Sequence, residues 1–584
     1  MMNKSVLIIF KNQLPFNDEN WEQKFETVIA PLELKEAIDG LGINFVDINS
    51  LLRPGSVEEA SEWTRKLSLV TNRDGERLSK VVKYQGFELW WMHYDDLMYR
   101  FCLPYTQYAS LLKYLAGFRS VTLYGAPFTN LFQFYLKAHD SKVIILDKSL
   151  DKSISLGVVL QLLISIFCIL WIKIKSPKVM VWTGDKLHLP LTYDYRMKFI
   201  YDELNHKGIK FIEFIRSMES TKIVLEHAIK RKRAVVYSFA IGSLARSLYS
   251  LIGRKSKALS SRFESSTELG AEQKFWYLVA SHYLHNVEGD ILSIRVMKLV
   301  LKFIGIKVAV VDTALSRNFT EVLACKLSDI PVIGIQHAAT PRSYFVSDFM
   351  NGFDGEKTLS VDVYGLWSKW WKEYYIKNSK AYRPTQFQVS GPMYTLKNRS
   401  LDIKAASSHS GKIKVLFVSE QLAAPSEILP YLEELIKAPN ISLYLNFRAY
   451  RDGFEDWLRA NYPQMLTNLG EGHLLKGSMD EAIIQSDVIV GSHSTGVLEA
   501  LLRFKPLIFF YTNKWGDYYS LRGDNKRAAF FAENPKELIE KIENAKSISM
   551  ADIKDLQEQY FGNPDDDGSK WLADQVEQAL KRKD

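Results

Sequence analysis

Short apolar runs rich in β-branched residues, separated by helical stretches, constrain this chain more than any other feature. "SVLIIF" from Ser5, "INFVDI" from Ile43, "SVTLYG" from Ser120 and "KVIILD" from Lys142 open the series. "KVMVWTG" from Lys178, "IKFIEFI" from Ile209, "AVVYSF" from Ala234, "KVAVVD" from Lys307 and "VIGIQ" from Val332 continue it. A strand that is apolar along its whole length, rather than at alternate positions, must be covered on both faces. Strands of that kind with helices between them predict an α/β protein built on parallel sheets.

The series restarts once. Residues 399–411, "RSLDIKAASSHSG", are small, polar and aperiodic, and read as a linker. "KIKVLFVSE", "ISLYLNFR", "DVIVGS" and "PLIFFY" then lay down a second set of strands with helical patterns between them. The expectation is an N-terminal Rossmann-like domain over 1–398, the linker, and a C-terminal Rossmann-like domain over 412–584. A chain of 584 residues is too long for one core, which agrees. In such sheets ligands bind beyond the carboxyl ends of the strands, so two domains facing a cleft would share one site.

The stretch 154–175, "ISLGVVLQLLISIFCILWIKIK", stands out from the rest. From 154 to 172 its only polar residues are two serines and Gln161. As a helix, about 19 residues would cover roughly 28 Å, close to a bilayer's hydrocarbon thickness. Lysines at 148 and 152 precede it, and lysines at 173, 175 and 178 follow. A span would put the two strand series on opposite sides of a membrane. The expectation is instead a helical insertion dipping into the inner face of the cytoplasmic membrane, peripheral or monotopic, with a single span and a helix buried in the soluble core as the alternatives. The runs "KRKR" (230–233) and "GRKSKALSSR" (253–262) would add positive charge toward an anionic surface.

The net charge of +8 favours anionic partners, and without zinc-finger spacing or an RNA-binding aromatic signature no nucleic acid is expected. The apolar run in "MMNKSVLIIFKNQ" is too short for a secretory signal and reads as a first strand. Cys102, Cys168 and Cys325 are scattered, without metal-ligand spacing, and read as buried small hydrophobes in a reducing, cytoplasmic setting.

Residues 486–510, "SDVIVGSHSTGVLEALLRFKPLIFF", carry the strongest chemical signal. A strand ends at Gly491, and Ser492, His493, Ser494 and Thr495 lead into a helix. Ser492 or Ser494 would cap that helix, whose free N–H groups suit a phosphate. Glu499, four residues after Thr495, would share its face and accept bonds from ribose hydroxyls.

"IPVIGIQHAATPR" (330–342) also ends a strand in polar residues. His337 would act as general base on a hydroxyl, or bind a phosphate as an imidazolium. Arg342 would suit a phosphate or carboxylate. Other strand ends supply Glu420, Arg448, which would hold a diphosphate or sugar carboxylate, and Asp185, an alternative base. "WWMHYDD" (90–96) offers His93, Asp95 and Asp96 among aromatics suited to sugar stacking. The acidic triplet 565–567 reads as an exposed turn rather than a metal site.

"SDVIVGSHST" continued by "GVLEALLRFKPLI" resembles the donor-binding segment of GT-B-type glycosyltransferases, in particular the bacterial ones that build capsule, teichoic acid and lipopolysaccharide chains. "RNFTEVLACKLSDIPVIGIQHA" resembles the same group's strand ending in a Gln-His-Gly turn, with Ala338 where the group has glycine. "YFGNPDDDGSKWLADQV" resembles its closing segment, whose last helix returns to the first domain. The resemblance covers 307–580. It implies that Ser492, Ser494 and Thr495 meet a nucleotide diphosphate and Glu499 the ribose or sugar, with no catalytic metal and no cofactor beyond the donor. The expected protein is an inverting, membrane-associated glycosyltransferase acting on a lipid-linked or growing polysaccharide acceptor. A non-hydrolysing nucleotide-sugar epimerase, which shares the two-domain arrangement, is one alternative. A non-catalytic assembly protein of a polysaccharide-synthesis complex is the other.

Overall fold

Three parallel sheets, not two, carry the strands. The structure is a computed structural model that describes residues 5–15, 24–72, 74–146, 156–175, 177–184, 197–216, 229, 234–252, 270–311, 318–340, 346–393, 411–419, 425–447, 453–475, 479–522, 527–563 and 565–582. The first sheet begins with β1 (Ser5–Ile9), β2 (Thr27–Ala30) and β3 (Asn44–Asp47). A short antiparallel hairpin of β4 (Lys83–Tyr84) and β5 (Phe87–Glu88) stands apart, and β6 (Ser120–Tyr124) and β7 (Lys142–Ile145) complete the sheet. The strand order is β3-β2-β1-β6-β7.

The second sheet holds β8 (Val179–Gly184), β9 (Phe211–Arg216), β10 (Val235–Tyr237), β11 (Val308–Val311), β12 (Val332–Ile335), β13 (Val363–Leu366) and β14 (Phe387–Val389). Its order is β10-β9-β8-β11-β12-β13-β14. The third holds β15 (Ile413–Val418), β16 (Ile441–Asn446), β17 (Leu474–Leu475), β18 (Val488–Gly491), β19 (Leu507–Phe510) and β20 (Phe531–Ala532), in the order β17-β16-β15-β18-β19-β20. All three sheets reverse their direction of growth after the third strand. That doubly wound order opens a crevice at the carboxyl ends of the two strands flanking the reversal. The reversals lie between β1 and β6, β8 and β11, and β15 and β18.

Residues 1–398 were expected to form one domain, yet two sheets lie within them. The cause is physical: β7 and β8 are both apolar, and the short polar run 147–153 between them leads straight into an apolar helix, so the strand-and-helix series continues across the change of sheet. The strands β1, β2, β11, β12, β18 and β19 are buried along their lengths, except that Ser5 opens β1 partly exposed, as sheets covered on both faces require. One apolar core runs through all three sheets, joining Val6 and Ile8 to Met180 and Val311 and to Leu416 and Ile489.

Helices fill the layers around the sheets. α1 (Val57–Ser68) starts at a Ser56 cap that accepts from the Glu59 N–H at 3.2 Å. α2 (Thr129–Ala138) covers the first sheet through Leu131, Phe132 and Leu136. α3 (Leu156–Lys175) is the apolar stretch, and it is not set apart from the fold. It runs beside β10, where Ser165 Oγ accepts from Tyr237 N at 2.9 Å and donates to Gln161 O at 2.7 Å. α4 (Lys198–His206) buries Ile200, Tyr201 and Leu204 against Val179 and Val181 of β8. α5 (Ser238–Ile252) and the long α6 (Ala271–Ile304) pack on each other and on α3. Among the described residues no helix is long and apolar enough to cross a membrane.

The end of the chain ties the third sheet back to the second. α7 (Lys369–Asn378) follows β13, and α8 (Thr495–Leu498) is a single turn that continues as a 3-10 turn to Arg503. α9 (Met550–Phe561) lies against α7: Ser368 Oγ donates to Gln559 O, Trp371 Nε1 donates to Tyr560 O at 3.1 Å, and Trp367 stacks on Phe561. α10 (Gly568–Lys581) then covers the second sheet, with Leu572, Ala573 and Val576 packed among Val310, Ile333 and Ile335. Lys207 bridges Asp574 at 2.8 Å and Glu577 at 2.6 Å, and hydrogen bonds from Lys207 and Lys581 hold the Glu577 carboxyl down at about 2. The acidic triplet forms the turn into this helix, and Asp567 caps it by accepting from Lys570 N at 3.0 Å. Gly391 makes the passage possible: it has φ +77°, and a Cβ there would lie 2.6 Å from that of Asp566.

Candidate functional site

The ends of β12 and β18 meet. Ala339 N donates to Thr495 Oγ1 at 3.1 Å, a bond that joins the turn after a second-sheet strand to the turn after a third-sheet strand. His337 therefore stands two residues from a group bonded to the Ser-His-Ser-Thr cluster.

The β12 turn is set by Gln336, which is almost fully buried. Its backbone N–H donates to Gly365 O at 2.8 Å, its Nε2 donates to Ala338 O at 3.0 Å, and its Oε1 accepts from Trp367 N at 3.1 Å. Trp367 Nε1 also donates to Gln336 O at 2.6 Å. A buried side-chain amide with acceptor and donor both engaged makes a rigid bracket, so the backbone of 336–339 is fixed to the end of β13. His337 and Ala338 are the partly exposed residues of this turn, and Ala339 is buried again. Ala338 is not among the described residues with positive φ, so alanine fits without the strain that a left-handed turn would impose.

The β18 turn is built differently. Ser494, not Ser492, caps α8, accepting from Gly496 N at 3.1 Å. Ser492 lies buried with its Oγ 2.9 Å from His493 Nδ1. The His493 ring stacks on Trp515 at 4.0 Å with 24° between planes, and meets the edge of Tyr518 at 5.5 Å. Its carbonyl accepts from Tyr519 OH at 3.1 Å. The Glu499 N–H reaches Thr495 O, an α-helical bond that keeps the two residues on one face. The helix expected after Thr495 is only one α-turn long, so its dipole adds little. What the turn offers an anion is hydroxyls.

The third sheet's reversal point closes on this turn. A Cβ on Gly496 would lie 3.3 Å from Val418 Cγ1, the last residue of β15, and 3.0 Å from Met479 Cε. β15 and β18 thus converge on residues 494–496, the crevice where doubly wound sheets hold nucleotides. At the end of the neighbouring β16, Asn446 is buried, and its Nδ2 has no hydrogen-bond partner among the described residues. That orphan donor at a strand end was not singled out from sequence, where Arg448 drew attention instead.

The aromatic wall was also missed. Trp515 is held by Thr512 Oγ1, which accepts from its N–H at 3.3 Å, and the loop before it by Glu427, whose two carboxylate oxygens accept from Asn513 N at 3.0 Å and Lys514 N at 3.1 Å. Val57 N, at the start of α1, donates to Lys514 O at 3.1 Å. The unit carrying the first sheet thus also braces the wall. No local pattern in "YTNKWGDYYS" signals this, because the partners come from residues 57, 427 and 493.

Asp185, Arg342, Glu420 and Arg448 lie outside the described residues. Of the "WWMHYDD" residues, His93 faces α6 instead of this crevice: its Nε2 is 2.9 Å from Asp290 Oδ2, and Tyr283 OH donates to Asp96 at 2.9 Å.

No protein-family model matches the chain, and no curated protein matches it. Solved structures similar to it include a glycosyltransferase from Rickettsia africae ESF-5, with a TM-score of 0.39 and 11% identity over 69% of this chain and 97% of that one. Anabaena Alr3699/HepE in complex with UDP and glucose has a TM-score of 0.39 and 12% identity over 69% of this chain and 100% of its own. The UDP-GlcNAc 2-epimerase from Neisseria meningitidis bound to UDP-GlcNAc has a TM-score of 0.37 and 13% identity over 69% and 99%. Likeness at this level decides no activity for this chain.

Proposed function

We propose that this chain is a glycosyltransferase that moves a sugar from a nucleotide-activated donor to a lipid-linked or growing polysaccharide acceptor, at the inner face of the cytoplasmic membrane. The observation that supports it most is the Ala339–Thr495 hydrogen bond, because it sets a histidine-bearing strand end against a hydroxyl-bearing one. The third sheet takes the donor at its reversal point. Ser492, Ser494 and Thr495 meet the diphosphate, Glu499 the ribose or sugar, and His493 with Trp515 walls the pocket. Thr495 Oγ1 accepts from Ala339 N, so its own O–H is the part left to donate to a phosphate oxygen. Glu420 and Arg448, each following a strand of this sheet, belong to the same donor side.

The second sheet takes the acceptor. His337 removes the proton of the acceptor hydroxyl as its oxygen bonds to the anomeric carbon, and the bond from that carbon to the diphosphate oxygen breaks with its electron pair. Asp185, after β8, is the alternative base, and Arg342 binds substrate phosphate or carboxylate. Charge building on the departing diphosphate is stabilised by the hydroxyls and by Arg448. A single displacement inverts the anomeric centre.

Thermal melting with UDP, GDP, CDP and CMP tests the reading. A donor nucleotide at about 100 times its Kd would stabilise the fold by about 2.7 kcal/mol, a shift of several degrees. A flat response to all four sinks the proposal. Conversion of a free nucleotide sugar to its epimer, with no acceptor present, would turn it toward the epimerase.

A further inference from the structure

α3 (Leu156–Lys175) wears its polarity inside out. Between residues 156 and 172 its polar side chains are Gln161 and Ser165, and both are buried against the protein. The side turned away from the fold carries Val159, Leu163, Ile166, Phe167, Leu170 and Trp171, and Leu163, Phe167 and Leu170 are 61%, 68% and 58% exposed. These six recur at helical spacing, so they form one continuous stripe. A surface helix in water turns its polar residues outward, and scattered exposed apolar residues need no explanation, but a contiguous patch does. The helices packed on α3 carry exposed apolar residues too, Leu244 and Leu248 on α5 and Leu299 and Phe303 on α6.

We infer that the outer face of α3 docks on an anionic lipid surface, with the helix lying in the interface plane. Two arguments choose lipid. The first is charge. In sequence, lysines stand at 148 and 152 before the helix and at 173, 175 and 178 after it. The run "KRKR" ends two residues before Val235, the first residue of the β10 strand that α3 packs beside. Lys302, exposed, lies between Leu299 and Phe303 on α6. An apolar helix face whose flanks in sequence are basic, with a tryptophan near one end, complements anionic headgroups over acyl chains. The second is length. The stripe from Val159 to Trp171 extends about 18 Å, against a hydrocarbon layer of about 30 Å, and the opposite face is engaged by β10, α5 and α6. The helix therefore lies on the bilayer and does not cross it.

This inference stands on α3 and not on the sugar-transfer reading. Flotation of the full chain with vesicles of phosphatidylcholine, alone or with roughly one-third phosphatidylglycerol, tests it. The protein is expected to float with the anionic vesicles and to be released by salt. The double substitution L163E/F167E is expected to lower the floated fraction about tenfold or more. Its melting temperature and any nucleotide-induced shift should be unchanged, because both positions are exposed. Failure of the nucleotide shift alone would leave the docking face standing. The inference is overturned if the variant floats as well as the parent, or if the parent does not float. It is equally overturned if the parent is a dimer in solution that the two glutamates dissociate without any vesicle binding, which would assign the face to a second copy.

Discussion

The ends of β12 and β18 read almost alike, "VIGIQHAAT" and "VIVGSHSTG", and their histidines nevertheless occupy different surroundings. In both, a buried apolar strand gives way to a histidine and small residues. At the first, Gln336 takes the structural load and leaves His337 partly exposed. At the second, the histidine takes the load itself: His493 is stacked on Trp515, edge-on to Tyr518, beside Ser492, and buried. A histidine's role follows from which neighbour fixes the turn, and the local sequence does not contain that neighbour's geometry.

Substitutions at three positions would break or sharpen this contrast. The largest effect is expected at His337. H337Q should lower sugar transfer about a hundredfold or more, with far less loss of stability than H493A, since a general base contributes on that scale and His337 is partly exposed. Retained turnover would remove the contrast by making His337 as structural as His493. Next comes H493A, which deletes a buried ring from an aromatic stack. It should cost about 2 kcal/mol of stability in a denaturant melt, and its transfer rate at saturating donor should fall far less than that of H337Q. The smallest effect concerns the bond joining the two turns. T495V leaves the buried Ala339 N–H without its acceptor and should cost about 1 kcal/mol, while T495S should restore it. T495V should also weaken nucleotide binding, read as a smaller melting shift. A silent T495V would mean the two strand ends are juxtaposed without being coupled.

The α/β class was legible because strands apolar on both faces leave a continuous sequence mark. The number of sheets was not, because the polar run 147–153 between β7 and β8 is short, leads into an apolar helix, and so reads as one more loop of the series. Both histidine turns were legible as strand ends in polar, small residues. The choice between Ser492 and Ser494 as cap was not, since it depends on which backbone N–H each hydroxyl reaches. Glu427, Trp515 and Asn446 escaped notice for a related reason. Glu427 and Trp515 are placed by contacts with residues distant in sequence, and Asn446 closes a strand, ISLYLN, in which Ser442 is as polar and nothing local tells the two apart. The stretch 154–175 was conspicuous for hydrophobicity, but composition carries no information on which side Gln161 and Ser165 face. That orientation separates a helix lying on a bilayer from one buried in a core.

The path of the last helix has a consequence for how the molecule is made. α10, formed by residues 568–581, covers β11 and β12 of a sheet whose first strand starts at Val179. While the ribosome is still translating the chain, α4 can cover β8 as soon as it is made, but β11 and β12 lack their cover until residues 568–581 have followed. A nascent chain that shows apolar strands for that long is a natural client for chaperones, and losing α10 would leave β11 and β12 in the same unprotected condition.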